Sequence, residues 1–152
     1  MYRFIVFILI SFVLLSSCKE TIYEDIKDIK DNKLVYNDTL NFDVNITTPN
    51  KPYNVYIDIE NTDNYKYSNL FLFVYITSPD KNTIVDTIDV FMADYKGKWV
   101  GKPKGDNYFG NYLFKQAVAF SETGIYRTSI VQGMRDDTLK GISKVGISVK
   151  EL

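Results

Sequence analysis

Residues 70–76 read Leu-Phe-Leu-Phe-Val-Tyr-Ile, and this stretch decides the fold. Successive side chains of an extended strand point to opposite faces of a sheet. One face of this strand therefore carries four aliphatic side chains and the other three aromatic ones: Leu70, Leu72, Val74 and Ile76 against Phe71, Phe73 and Tyr75. Because both faces are apolar, the pattern predicts a strand that is central in its sheet or covered by a partner.

The same period of two continues on both sides of this stretch. It appears in residues 40–46, 54–60, 84–92, 114–120, 125–132 and 145–149, separated by turn sequences rich in Pro, Asn and Asp. About eight short strands without a long helical period predict an all-β fold, a single β-sandwich of jelly-roll or immunoglobulin-like type over residues 34–152. We expect the last strand, residues 145–149, at a sheet edge, and one or two helical turns within residues 134–142.

Tyr126 begins one of these predicted strands, two residues after Gly124. This placement is close to a tyrosine corner, in which the hydroxyl of a strand-initial Tyr bonds back to the preceding loop. An ordinary core Tyr is the alternative.

The first 17 residues have the pattern of a lipoprotein signal peptide. Arg3 precedes an apolar run over residues 4–15, and Leu15-Ser16-Ser17 stands directly before Cys18. A basic residue, a short apolar run and small residues before the cleavage site are typical of secretory signals. The run is too short for a transmembrane helix, which needs about 20 apolar residues. A plain secretory signal in which the cysteine is accidental is the other alternative. We predict a signal peptide over residues 1–17 and acyl chains, palmitate among them, on Cys18, which hold the protein to a membrane.

Residues 18–33 are polar and charged apart from a few apolar positions. The spacing of Ile22, Ile26 and Ile29 fits a short helix, but a flexible tether between the lipid anchor and the sandwich is the interpretation we favour.

Composition excludes several classes of function. The formal net charge is −1, or −2 once residues 1–17 are removed, because Arg3 is the only charged residue among them. No basic field therefore attracts nucleic acid. The chain has no histidine, which excludes Ser-His and Cys-His nucleophiles and imidazole zinc sites within it. Asp58, Glu60 and Asp63 lack the spacing of a calcium loop, so we expect them on the solvated surface, with no metal and no cofactor.

The segment of residues 93–111 is Gly-rich and has no sustained period, which predicts a long loop of functional importance. Its residues Asp94, Tyr95, Trp99 and Asp106 suggest a pocket with an apolar wall and polar orienting groups, or a protein contact anchored by Trp99. Trp99 as a plug at one end of the sandwich is the structural alternative. An enzyme that pairs the carboxylates of Asp94 and Asp106 is the weakest hypothesis.

An Asp-Thr-aliphatic triplet occurs three times, at Thr39, Thr87 and Thr138. It resembles the acceptor sequence of a bacterial O-glycosylation system for exported proteins, and short motifs of this kind have many false positives.

Several longer motifs, in order along the chain, resemble the gliding-motility lipoprotein GldH family. They are Lys51-Pro52-Tyr53-Asn54-Val55-Tyr56, Tyr67-Ser68-Asn69-Leu70-Phe71-Leu72-Phe73, Met92-Ala93-Asp94 with Gly97-Lys98-Trp99-Val100-Gly101, Glu122-Thr123-Gly124-Ile125-Tyr126 and Gln132-Gly133-Met134-Arg135. With the lipoprotein signal, the resemblance covers nearly the whole chain.

The resemblance implies an envelope lipoprotein, not an enzyme, that is a structural or accessory component of the gliding machinery associated with type IX secretion. We expect other envelope proteins as partners, bound through Tyr95, Trp99 and, if their face is open, Phe71, Phe73 and Tyr75. A glycan- or peptidoglycan-binding lipoprotein is the alternative hypothesis. Lys19 stands where an Asp commonly retains lipoproteins at the inner membrane, so we expect the outer membrane, with the domain facing the periplasm.

Overall fold

The structure, a computed structural model, describes residues 20–152, where the chain forms eleven strands and a 3-10 turn at Lys30–Asn32. The strands, in chain order, are β1 (Thr21–Asp28), β2 (Lys33–Val35), β3 (Leu40–Ile46), β4 (Pro52–Thr62), β5 (Asn69–Thr77), β6 (Thr83–Phe91), β7 (Lys102–Lys104), β8 (Asn107–Ala119), β9 (Gly124–Gln132), β10 (Thr138–Lys140) and β11 (Ile142–Glu151). The predicted signal peptide and Cys18 lie outside the described residues.

Two antiparallel sheets form the sandwich that the sequence predicts. The first sheet has five strands in the order β1-β11-β4-β8-β7, and the second has four in the order β3-β9-β5-β6. The short strands β2 and β10 pair with each other. Strand β5 lies between β9 and β6, so its prediction as a central strand is confirmed.

The core consists of the inward-facing half of each alternating strand. Phe42, Val44 and Ile46 face it from β3, while Ile57 and Ile59 face it from β4, all nearly inaccessible to solvent. Such burial of β-branched and aromatic side chains is the main stabilising term of a fold without disulfides. All residues of the buried core cluster belong to the sequence range from Ile29 to Val149. The sandwich therefore has its own hydrophobic core, as a domain that folds independently requires.

The tyrosine corner is present at one end of the sandwich. The hydroxyl of Tyr126 lies 3.2 Å from the carbonyl oxygen of Glu122, to which it donates a hydrogen bond. Its ring packs edge-on against Phe120, with 4.7 Å between ring centroids. Phe120 also contacts Tyr53, whose hydroxyl donates to the carbonyl oxygen of Thr48 at 2.6 Å. These aromatic contacts close this end of the core.

Two predictions about the chain ends are wrong. Residues 21–28 are not a flexible tether, because they form β1 and pair with β11 over Thr21–Asp28. As a result β11 is not an edge strand but lies between β1 and β4. The many polar residues within Thr21–Asp28 are explained by the position of β1 at the edge of its sheet, where part of the strand faces water.

The expected long loop and the expected helical turns are also absent from the described residues. Residues 102–119 form the β7–β8 hairpin, and Ala93 pairs with Trp99 in an isolated bridge, so only short turns remain within residues 93–111. Residues 138–140 form β10 and not a helix. β10 becomes a strand by pairing with the distant β2, and this long-range pairing outweighs a weak local helical pattern.

Candidate functional site

The outer face of the second sheet carries a contiguous group of apolar side chains. Phe71, Phe73 and Tyr75 project from β5, and the register places Val85 of β6 beside Tyr75 and Val131 of β9 beside Phe73. Phe91, which is 69% exposed, extends the group at the end of β6. We call these six residues the aromatic face. Tyr75, Val85 and Phe91 are exposed, whereas Phe71, Phe73 and Val131 are half-buried. Exposed apolar side chains grouped in this way are typical of interaction sites.

Gly133 leaves space for two rings of the aromatic face. A Cβ atom at Gly133 would lie 2.7 Å from the Phe71 ring and 2.8 Å from the Phe73 ring. Without one, the two rings lie over the backbone and meet edge to face, with centroids 5.6 Å apart. The backbone N–H of Phe71 also contacts the sulfur of Met134 at 3.3 Å. The aromatic side chains are thus held in place before any partner binds.

The turn between β6 and β7 presents Tyr95 to solvent. One carboxylate oxygen of Asp94 accepts hydrogen bonds from the backbone N–H groups of Lys96 and Lys98, at 2.8 and 2.9 Å. Asp94 is therefore used to form the turn. Tyr95, at its tip, is 91% exposed, so it is free to contact a partner at no cost to the fold.

Trp99 has a different place from Tyr95. Its indole N–H donates to the carboxylate of Asp63 at 2.8 Å, and its ring packs between Tyr65 and Tyr108 with centroid distances of 6.4 and 6.0 Å. The side chain is half-buried against the core. These contacts give Trp99 a packing role, and its half-buried side chain lines a groove together with Tyr108.

The two carboxylates suggested as a catalytic pair belong to separate turns. Asp94 lies in the turn after β6, whereas Asp106 lies exposed at the tip of the β7–β8 hairpin beside Gly105. The Asp94 carboxylate accepts hydrogen bonds from the backbone N–H groups of Lys96 and Lys98, which is the role of a turn residue.

The three candidate glycosylation residues are all exposed. Thr39 precedes β3, Thr87 lies on the edge strand β6, and Thr138 begins β10. Each is open to a modifying enzyme.

The first sheet buries two carboxylates that were expected in solvent. Asp58 is 1% exposed and accepts a hydrogen bond from the side-chain amide of Asn111. Burial raises the pKa of Asp58, although Asn111 and Ser148 oppose the shift. Glu60 is bound by Asn107 at 2.8 Å and Ser143 at 3.0 Å. Amide and hydroxyl partners make this a hydrogen-bonded network, and no cluster of three metal-ligating groups occurs in residues 20–152.

Val85, Phe91 and Val131 are the members of the aromatic face that we did not identify from the sequence. The alternation over residues 84–92 places Ile84, Ile88, Val90 and Met92 on one face, and the structure shows this face to be the one turned toward the other sheet. The opposite positions, 85, 87, 89 and 91, are mixed in polarity. Only the pairing of β6 with β5 reveals that they extend an aromatic surface.

Known proteins resemble this chain along nearly its whole length. The GldH lipoprotein family model matches residues 21–149. A protein of Christiangramia forsetii named gliding motility lipoprotein GldH homolog is 35% identical over 158 residues, which cover 97% of this chain and 96% of the relative. The gliding motility lipoprotein GldH of Flavobacterium johnsoniae is 29% identical over 153 residues, with 95% and 94% covered. Within residues 20–152, no helix has the length and apolar character to cross a bilayer.

Proposed function

Because this chain belongs to the GldH lipoprotein family, we propose that it is a structural or accessory component of a gliding-motility apparatus linked to type IX secretion. In this role it is held in the envelope by acyl chains on Cys18 and performs no catalysis of its own. The absence of histidine and the use of Asp94 as a turn residue favour a binding role over an enzymatic one.

The aromatic face is the observation that carries this proposal. Phe71 and Phe73 are ordered by their contacts with Gly133 and with each other, while Tyr75, Val85 and Phe91 of the same face are exposed. Aromatic side chains are enriched at protein contacts because they bury much area at a small entropic cost. We propose that the aromatic face binds another envelope protein, with Tyr95 as a second point of contact.

The direct test is crosslinking in intact cells followed by identification of the bound proteins. The variant Tyr75→Ser/Phe91→Ser removes the two most exposed rings of the aromatic face. Tyr36→Ser/Leu113→Ser is a matched control, since these side chains are similarly exposed but lie outside that face. We expect the first variant to lose a crosslinked partner that the control keeps. Equal crosslinking by both would contradict the proposal.

Tyr95 is tested separately by Tyr95→Ser. Because the side chain is 91% exposed, its removal should leave stability unchanged within about 0.5 kcal/mol. Loss of the same partner would assign Tyr95 to the contact, whereas full retention would remove it. Trp99→Ala is unsuitable here, since Trp99 also packs against Tyr65 and Tyr108.

Anchoring through Cys18 has its own test. Cys18→Ala should release the protein from the membrane fraction, and the native protein should have the mass of the chain from residue 18 plus acyl groups. We propose the outer membrane as its site, with the sandwich facing the periplasm. Digestion by a protease added to whole cells would contradict that orientation, while protection until the outer membrane is opened would agree with it.

Glycan binding is the second candidate. The groove beside Trp99 and Tyr108 holds Asp63 as a polar group, an arrangement that suits stacking of a sugar ring. Affinity for peptidoglycan or capsule fragments that falls with Tyr108→Ala would favour it. Failure of such fragments to bind would leave the protein-contact proposal as the only one.

Glycosylation at Thr39, Thr87 or Thr138 stays a proposal, supported by their exposure. The intact mass of the native lipoprotein tests it, because a mass equal to the acylated polypeptide alone would exclude glycan.

A further inference from the structure

A cavity of about 180 Å³ lies between the two sheets. Its walls come from both layers of the sandwich and are mostly aliphatic or aromatic: Val44, Val55, Ile76, Phe114, Val118 and Val149. An unfilled apolar cavity forfeits dispersion contacts and lowers stability. A cavity of this size is therefore costly to maintain unless something binds in it.

The cavity opens at an edge of the sandwich. β6 is the last strand of its sheet, and β8 pairs with β7 only over residues 107–109, so residues 110–119 of β8 have no further neighbour strand. At this opening Ile84 is 59% exposed. Lys115 of β8 forms an ion pair with Asp86 of β6 across the gap. The opening thus has an apolar rim and a cation.

A β-bulge in β8 lies beside this opening and changes the direction of the side chains there. The register of β8 against β4 shifts on both sides of Val55, and Ala117 has a φ of 51°. The Ala117 N–H donates to the side-chain oxygen of buried Asn54 at 2.9 Å, which compensates for the lost ladder bond. Bulges redirect side chains, and this one allows Phe114, Lys115 and Val118 all to line the cavity.

We propose that this cavity binds the alkyl chain of a lipid whose negatively charged head group lies at Lys115. An engineered apolar cavity of about 150 Å³ stays dry and admits benzene, so this one has room for about seven carbon atoms on the same scale. Lys115 is the only charged residue among the described ones that line it. An anionic head group would compete with Asp86 for Lys115, while the chain fills the apolar space.

The position of the cavity supports a lipid as its occupant. Val149, in its wall, is two residues from Glu151, whose N–H binds the carbonyl oxygen of Glu20 at 2.9 Å. The cavity is therefore at the end of the sandwich from which the chain leads back to Cys18. This one argument rests on the proposed acylation of Cys18, which would place that end beside a membrane.

The first experiment compares butanoate, hexanoate and octanoate on residues 20–152, which contain the whole core. Methyl resonances of Val44, Ile76 and Val118 report occupancy of the cavity by NMR. We expect these resonances to shift on binding and the affinity to rise about fourfold for each added methylene. Absence of these shifts with octanoate, or affinities that do not depend on chain length, would overturn the proposal.

The second experiment uses two neighbouring residues of β6. Ile84→Trp places a bulky ring in the opening, whereas Val85→Trp places it on the opposite face, and the two native side chains are equally exposed at 59%. We expect Ile84→Trp to reduce octanoate affinity at least tenfold and Val85→Trp to preserve it. Equal affinities in the two variants would contradict binding at this opening.

The third experiment concerns the head group and does not depend on Ile84→Trp being folded. Lys115→Gln should weaken octanoate several-fold and leave octanol unaffected, while equal loss of both would contradict a charge contact. Dihexanoyl phosphatidylglycerol, tested alongside octanoate, distinguishes the sources: preference for it indicates a phospholipid, and preference for octanoate a free fatty acid. Failure of both to bind would overturn the cavity assignment, without touching the protein contact proposed for the aromatic face.

Discussion

The indole N–H of Trp99 donates a hydrogen bond to the carboxylate of Asp63 across 2.8 Å, and this bond joins the turn after β6 to the turn after β4. The residue that looks most like a contact anchor in the sequence is thereby part of the fold's own packing.

This relationship predicts a modest coupling between the two side chains. Trp99→Phe and Asp63→Ala should each lower the free energy of unfolding by about 1 kcal/mol, because an exposed hydrogen bond is lost. Combined, they should cost less than the sum of the two, since both remove the same bond. Urea denaturation of the four proteins measures the coupling, and strictly additive effects would contradict it.

The tyrosine corner predicts a similar loss at the other end of the sandwich. Tyr126→Phe keeps the ring on Phe120 but removes the hydroxyl that binds Glu122. We expect thermal or urea unfolding to show a loss of about 1 kcal/mol. Tyr36→Phe, at an exposed position, is the control and should have no effect.

The buried carboxylate of Asp58 predicts an unusual dependence of stability on pH. Because burial raises its pKa in the folded state, the charged form destabilises the fold at neutral pH. This penalty disappears as the pH falls through the raised pKa of the folded state toward the ordinary pKa of about 3.9. Asp58→Asn should therefore be neutral or stabilising by about 1 kcal/mol at pH 7.

Urea denaturation of the native protein and of Asp58→Asn at several pH values tests this prediction. The advantage of Asp58→Asn over the native protein should shrink at low pH, where the native carboxyl is protonated. A loss of more than about 2 kcal/mol at pH 7 would instead show that the charge is well stabilised by Asn111 and Ser148. Asp38→Asn, in an exposed turn, serves as control.

Two glycines with positive φ predict effects of different size. Gly141 has a φ of 93°, and a Cβ there would lie 2.3 Å from the backbone nitrogen of Tyr65. Gly105 has a φ of 61° with nothing within 4 Å of such a Cβ. Gly105→Ala should cost about 1 kcal/mol from backbone strain alone. Gly141→Ala should cost about 3 kcal/mol or more, because backbone must also move. Equal losses in denaturation would contradict the close approach.

The sequence predicted the strands whose two faces differ clearly in polarity. β3 has the predicted bounds Leu40–Ile46, and β5, β6 and β9 agree closely, because alternation is a local property that a strand carries in its own residues. Tyr126 was recognisable for the same reason, since its partner Glu122 is four residues away.

The failures concern strands that depend on distant partners. β1 has an ambiguous apolar pattern that fits a helix as well, and it becomes a strand only by pairing with β11. Without β1, β11 could only be expected at an edge. β8 departs from alternation at its bulge, so neither its full length nor the cavity beside it is visible in the sequence. The burial of Asp58 likewise depends on Asn111 and Ser148 from neighbouring strands.

The bond between the Glu151 N–H and the Glu20 carbonyl oxygen leaves Lys19 alone between that fixed residue and Cys18. Cys18 is two residues from Glu20, so their Cα atoms are at most about 7 Å apart. An acylated Cys18 would thus hold the sandwich close to the lipid head groups. A protein partner that binds the sandwich would then have to approach the membrane surface. A force applied to the sandwich would be transmitted directly to its lipid anchor.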